Sequence, residues 1–566
     1  MQRLFKSTNL ILIGIFLFSF SLMIFSAKSD SQTTDEAIHL YSGVTYLQKK
    51  DFRLDPEHPP LIKEIAALPL FFYQNLQIPQ GNLWERAANF YYDSWKEARF
   101  LGEEFFYKIG NNPKSLLYWG RLPMIFLTLL LGLAGYFWAK KLYGTGPGIL
   151  AAFLILFLPT VLAHGRLINT DLGLTLFAVL TIYFWGEFLK SPKWRHFLFF
   201  GLFLGLALAS KFTGIILLPI LIILALGKFF VFRKGNKKWW LYLLGFLGAI
   251  IISWIVIWAS YGFSTNIPSL PPAKISDNLN LWTNLDFSEG IDNFIVKVRG
   301  LLFPAEYYKG LFLVGRHALA GHGSFLLGQA SNVGWWYYFP AAILFKTPIP
   351  LFILLVLAIL YFRKIRSKNN FDEFLLLAPP LIYLSISMFS KADLGIRHIL
   401  PIFPFWIIFA SKTANLVQFR EIRIINAVKF KLIPALGFML LILWYLYSAF
   451  SSYPNYLAYF NEFAGGKSNY YNILNDSNLD WGQDIYRIKE YIDDHQLKQP
   501  YIVYPWDGDS ALKYEGINFL PLAPEDREIK GQIIISATYL QMGGYDWLKK
   551  YPFEFITPGV LIFNVN

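Results

Sequence analysis

Residues 10–25 read Leu10-Ile-Leu-Ile-Gly-Ile-Phe-Leu-Phe-Ser-Phe-Ser-Leu-Met-Ile-Phe25. Just beyond them come Thr33-Thr-Asp-Glu-Ala-Ile-His39 and Asp51-Phe-Arg-Leu-Asp-Pro-Glu-His-Pro-Pro-Leu-Ile-Lys63. The first piece, behind Arg3 and Lys6, has nearly the length of a bilayer crossing, which takes about 20 mostly apolar residues. The polar pieces therefore lie where the chain has just left a membrane. Two adjacent carboxylates, two histidines and a rigid Pro-Pro pair there suggest chemistry at a membrane surface. A structural reading stands beside it. Thr33 and Glu36 have the Ser/Thr-x-x-Glu spacing of a helix capping box, and the dipole of a helix start favours carboxylates.

Composition extends the membrane reading to the whole chain. Of 566 residues, 55% are hydrophobic and 16% charged, against about 25% charged in an average soluble protein. Mean hydropathy is +0.39. The net charge of +13 falls mostly in short loops between apolar stretches, which fits lipid headgroups and membrane orientation better than nucleic acid. The absence of cysteine excludes disulfides, thiolate nucleophiles and thiolate-bound metals. A retained signal anchor fits residues 10–25 better than a cleaved signal peptide, because no convincing small-x-small site follows.

About eleven spans are expected: 10–25, 116–138, 149–163, 172–188, 197–209, 214–232, 240–261, 338–362, 374–389, 396–410 and 432–447. With the N-terminus cytoplasmic, the short inner loops are basic throughout, for example Lys140-Lys141, Lys190 to Arg195 and Arg363 to Lys368, as the positive-inside rule requires. Three large segments then lie outside: 28–115, 262–337 and the tail 451–566. The first is expected to carry surface helices around 85–107, and the second contains a proline-rich run at 267–272. In the tail, 501–504, 532–536 and 559–563 read as strands between Gly and Pro residues, and 484–495 as a helix. The expected architecture is an all-α polytopic membrane domain, 1–450, followed by a small extracytoplasmic α/β domain, 451–566.

Ionisable residues collect at the outer ends of the spans. Seven of the eight histidines fall outside, His196 being the exception. His164-Gly-Arg166 with Asn169-Thr-Asp171, Ser210-Lys211, and Lys391-Ala-Asp393 with Arg397-His398 form three short outer turns. Cations there run against the topology rule and ask for a partner, an anion being the simplest; an internal pair such as Arg166 with Asp171 is the alternative. The histidines have no HExxH spacing, so a divalent cation is an open option with only a weak signal.

Taken together, Thr34-Asp-Glu-Ala-Ile-His-Leu-Tyr-Ser-Gly43, Pro56-Glu-His-Pro-Pro-Leu61, His164-Gly-Arg-Leu-Ile-Asn-Thr-Asp171, Ser210-Lys-Phe-Thr-Gly214, Gly395-Ile-Arg-His-Ile-Leu-Pro401 and Asp476-Ser-Asn-Leu-Asp-Trp-Gly-Gln-Asp484 resemble glycosyltransferase family 39. This is the dolichyl-phosphate-mannose protein mannosyltransferase group of the GT-C superfamily, here in its prokaryotic form. The lipid A aminoarabinose transferase is a more distant relative. No MIR-type insert is recognisable in the middle loop, which leaves protein, glycan and lipid open as acceptors.

The resemblance implies a GT-C membrane enzyme of the plasma membrane that transfers a sugar, with inversion, from a polyprenyl-phosphate donor to an acceptor hydroxyl on the extracytoplasmic face. It maps the catalytic base onto Asp35, with Glu36 beside it, and the second acidic position onto Asp171. A hydroxyl needs a carboxylate to take its proton as it attacks the anomeric carbon, and the oxocarbenium-like transition state is stabilised by carboxylates. The departing phosphate calls for cations, and Arg397, Lys211 and Arg166 are the candidates. His39, His58, His164 and His398 are the substrate-binding candidates on the same face. The rival class is a lipid-linked sugar transporter, which would show two related halves with midplane charges; neither feature is present.

Overall fold

The computed structural model describes residues 2–79, 81, 94–232, 239–264, 304–417, 428–504 and 508–565. Residues 82–93 of the expected surface helices, the proline-rich run 267–272 and the basic segments 233–238 and 418–427 lie outside these. The described chain is mostly helical, with a small sheet near its C-terminus.

The eleven apolar stretches lie mostly on helix, but 149–163 is broken at Phe157-Leu158 and 396–410 is a 3-10 turn followed by the Ile402–Ser411 helix. Among the described residues, five helices are long and apolar enough to cross a membrane: Thr8–Lys28, Pro113–Tyr143, Asp171–Lys190, Phe212–Phe230 and Trp240–Ser260. Thr145–Leu156, Trp194–Ser210 and Ala435–Phe450 are shorter apolar helices. The chain is an integral membrane protein. The stretch expected as one span over 338–362 is instead two helices, Tyr338–Lys346 and Ile349–Leu360, bent by 105°. The break has a local cause: Pro348 clashes with a helical conformation at the residue before it, and Thr347 is extended, with φ −103° and ψ 131°.

The helix ends explain where the polar turns sit. Asn112 accepts from the Ser115 N–H at 3.0 Å and starts the Pro113–Tyr143 helix with a side-chain cap. The Glu36–Lys49 helix begins at Asp35 and ends at Lys50 in a left-handed conformation. That helix packs directly on the short Leu61–Ala67 helix, and Gly43 allows it: a Cβ there would stand 2.1 Å from the Lys63 carbonyl oxygen. Of the expected capping box only half forms. Glu36 accepts from the Thr33 N–H at 2.9 Å, but the Thr33 hydroxyl has no partner among the described residues.

The tail forms a four-stranded sheet in the order β3-β4-β6-β5, with β3 Tyr501–Val503, β4 Gly531–Ser536, β5 Phe553–Thr557 and β6 Val560–Val565. An earlier hairpin pairs β1 Ser324–Leu326 with β2 Gln329–Ser331. Strand β5 is an addition to the three expected; it pairs antiparallel with β6 across the turn at Pro558-Gly559. Successive side chains of a strand point to opposite faces, and the sheet uses both. Ile533, Ile535, Leu561, Phe563 and Val565 join the core of the helical body. Ile534, Val560 and Ile562 pack instead with Ile485, Ile488 and Leu512 of the tail's own helices. The tail therefore shares one face of its sheet with the membrane body.

Candidate active site

Four of the expected residues meet. Asp35 stands at the start of the Glu36–Lys49 helix and Asp171 at the start of Asp171–Lys190. Lys211 follows Trp194–Ser210, and Arg397 lies in the turn before Ile402–Ser411. Arg397 Nη1 is 3.1 Å from Asp35 Oδ2 and 3.6 Å from Asp171 Oδ2. Lys211 Nζ is 2.5 Å from Asp171 Oδ1. The row Asp35–Arg397–Asp171–Lys211 thus joins four segments, the most distant two 362 positions apart. The Asp35 side chain keeps 19% of its surface exposed, while Asp171 keeps 2%.

The tail completes the setting of Arg397. Its Nε donates to Ser477 Oγ at 3.2 Å, and its guanidinium lies 4.1 Å over the Trp481 ring, a stacking that suits a planar cation. Gly395 makes this approach possible, since a Cβ there would meet Ser477 Oγ at 2.3 Å and its φ is +144°. Neither Ser477 nor Trp481 was assigned a role from sequence, although both lie in the quoted run 476–484. Their signal was proximity of motif, not chemistry.

Glu36 does not share this site, which corrects its place beside the base. It is fully buried and forms a two-pronged pair with Arg121, Nε to Oε1 at 2.8 Å and Nη2 to Oε2 at 2.6 Å. The Ile168 and Thr33 N–H groups fill its remaining positions at 3.0 and 2.9 Å. Burial alone would raise its pKa, but Arg121 and these N–H groups outweigh burial and hold the carboxyl below its ordinary value. Arg121 was overlooked, although a charge inside an apolar span always demands a partner.

Arg166 is also corrected. It pairs with Asp30, Nη2 to Oδ2 at 2.6 Å with both side chains wholly buried, and neither Asp171 nor an open surface is its partner. Arg487 holds the other Asp30 oxygen at 2.7 Å. These pairs brace the loop that carries Asp35.

The histidines divide. His39 Nδ1 is 2.8 Å from Asp55 Oδ2, and Lys63 Nζ is 3.1 Å from the same oxygen. Lys63 also donates to Tyr46 Oη and to the Asp55 and His58 carbonyls at 2.8–2.9 Å. Burial raises the Asp55 pKa, but Lys63 and His39 more than reverse this and hold it far below the usual carboxylate range. His39 thus belongs to a closed knot that shapes the loop 51–63, a correction to its substrate-binding role. His58 stacks edge-on against His39 at 5.0 Å and reaches Thr170 Oγ1 at 3.5 Å, one residue from Asp171. His164 is buried with its ring 6.1 Å from Trp481. His398 follows Arg397, and its buried Nε2 has no partner among the described residues. Among the described residues no group of three or more His, Asp or Glu is placed to hold a metal ion.

Residues 104–258 match the family model described as dolichyl-phosphate-mannose-protein mannosyltransferase, and the chain is mannosyltransferase-like over that segment. No curated protein sequence matches the chain. Among solved structures it is similar to ArnT from Cupriavidus metallidurans bound to undecaprenyl phosphate, with 10% identity, 97% of each chain covered and a TM-score of 0.47. It is also similar to the oligosaccharyltransferase AglB from Archaeoglobus fulgidus with an inhibitory peptide and dolichol-phosphate. There identity is 11%, coverage 96% of this chain and 72% of that one, and the TM-score 0.46. The Pmt1-Pmt2 complex of S. cerevisiae bound to the sugar donor matches at 17% identity over 45% of this chain and 33% of that one, with a TM-score of 0.32.

Proposed function

We propose that this membrane protein with a mannosyltransferase-like segment is a glycosyltransferase that moves a sugar from a polyprenyl-phosphate donor to an acceptor hydroxyl, with inversion, at the extracytoplasmic face of the plasma membrane. The observation that carries the reading is Arg397 held between Asp35 and Asp171, with Lys211 on the far side of Asp171. A partly exposed carboxylate beside a guanidinium and an ammonium offers both halves of the transfer in one place. Asp35 takes the proton of the acceptor hydroxyl. The hydroxyl oxygen forms its bond to the anomeric carbon as the bond from that carbon to the phosphate oxygen breaks. The electron pair leaves with the polyprenyl phosphate, whose charge Arg397 and Lys211 receive. Asp171 acts through those two cations by holding them in position.

Glu36, Arg121, Asp30 and Arg166 keep this frame rigid. Such rigidity matters, because a reacting pair out of place by an ångström loses much of the advantage of proximity. The apolar helices supply the wall for the isoprenoid tail.

The test is Asp35→Asn in purified protein supplied with polyprenyl-phosphate hexoses. Asn keeps the size of the side chain but cannot take the proton. Transfer is expected to fall by about 10²-fold or more, the usual cost of losing a general base, with donor binding and thermal stability retained. Near-normal turnover in Asp35→Asn would refute Asp35 as the base. If wild type transfers no hexose from any polyprenyl phosphate to protein, glycan or lipid, the transferase reading fails. The same assay with and without a chelator reads out whether a divalent cation takes part.

A further inference from the structure

A second chamber lies one residue away from the group that holds Arg397. A cavity of about 270 Å³ opens between the β1–β2 hairpin and the Ala537–Met542 helix, and its wall includes His322, Ala330, Asn332, Asp476, Thr538 and Tyr539. The walls share one frame. Leu326 of β1 bridges to Leu474, and the Asp476 N–H donates to Thr538 Oγ1 at 3.1 Å. Asp476 Oδ1 accepts from the Ser477 N–H at 2.5 Å, and Ser477 Oγ accepts from Arg397 Nε. A ligand on Asp476 would therefore sit beside the Asp35–Arg397 contact.

The chemistry of the wall selects among ligands. Among the described residues that line the cavity there is neither lysine nor arginine, and the ionisable ones are Asp476, His322 and Tyr539. A phosphate or carboxylate would meet the Asp476 carboxylate directly, while Arg397 lies behind Ser477 and is already engaged by Asp35 and Asp171. A neutral polyol has the opposite match: a carboxylate, an amide and hydroxyls for its hydroxyl groups, and an aromatic ring for its C–H face. Small concave sites with a few converging polar groups are the usual form of such recognition. We propose that this cavity binds a neutral hexose ring, with Asp476 accepting hydrogen bonds from its hydroxyls. The inference rests on the transferase reading only for which substrate carries that ring, the acceptor or the donor.

Full-length protein in lipid nanodiscs, probed by saturation-transfer NMR with methyl glucosides, mannosides and galactosides, tests this without turnover. At least one methyl hexoside should receive saturation from wild type. The signal should fall at least fivefold in Ala330→Trp, which fills the cavity from an exposed position on β2, and in Asp476→Asn, which keeps the side-chain shape. No transfer to any methyl hexoside, or unchanged transfer in folded Ala330→Trp, would overturn the proposal. Tighter binding of mannose 6-phosphate, or of a Ser/Thr peptide in place of the hexosides, would overturn it too. In steady-state transfer, a raised KM for the acceptor alone in Ala330→Trp assigns the ring to the acceptor, and a raised KM for the donor alone assigns it to the donor. Because binding is read directly, a chain that binds hexosides but transfers none would defeat the transferase reading and leave the cavity assignment standing.

Discussion

Replacing Glu36 by Gln separates a structural carboxylate from a catalytic one, and the geometry sets the size of the effect. Glu36 accepts from Arg121 Nε and the Ile168 N–H on one oxygen, and from Arg121 Nη2 and the Thr33 N–H on the other. Gln has one carbonyl oxygen. Whichever way its amide turns, its NH₂ group faces two N–H donors that have lost their acceptor. Arg121 keeps the Ala27, Asp30 and Ser31 carbonyls, but it loses its counter-charge in a fully buried position. Removing one partner of a buried ion pair costs about 3–5 kcal/mol, or about two to four orders of magnitude in the unfolding equilibrium. The expected result is a marked fall in the thermal midpoint of the purified protein, read by differential scanning fluorimetry in nanodiscs, with lost folded protein accounting for lost activity. Asp35→Asn is the contrasting control, stable and inactive. A Glu36→Gln protein as stable as wild type yet inactive would refute the argument and return Glu36 to the chemistry.

Arg397→Lys should raise the donor KM and Arg397→Ala should raise it further, because only a guanidinium can reach Ser477, Asp35 and the Trp481 face together; donor titrations that superimpose for all three proteins would remove Arg397 from the site. Asp480 gives a pH test of stability. Burial pushes its carboxyl up to about 7, so the folded chain keeps a proton that an unfolded Asp releases near about 3.9. The stability tied to that proton is present below about pH 4 and is lost as pH rises through about 7. Asp480→Asn, neutral throughout, should therefore gain over wild type in thermal midpoint at pH 8 and show little gain at pH 4.5. An equal difference at both pH values would count against the buried carboxyl.

The membrane class and the rough position of the site follow from local chemistry. Apolar runs long enough to cross a bilayer have few alternatives to helix, and most of the eleven expected stretches lie on helix, although only five of the described helices are long and apolar enough to cross. Lys211 and Arg397 stood out because cations in short outer turns are costly without partners, and Asp35 and Asp171 because the resemblance maps acidic positions onto them; the structure brings these four into one row. Strand β5 was legible in principle from the alternation Phe553-Glu-Phe-Ile-Thr557 before a Pro-Gly turn. What separates Asp35 from Glu36 was not. Adjacent residues at a helix start point about 100° apart, and which of them is buried depends on Arg121, 85 positions further on. The same holds for Arg166, whose partner Asp30 lies on a different element, and for His39, drawn into the Asp55–Lys63 knot. Ser477 and Trp481 reach Arg397 only because the tail sheet packs one of its faces onto the helical body. Residue type and spacing can show that a charge needs a partner; which partner it finds is decided by contacts between distant elements, and those exist only in the folded chain.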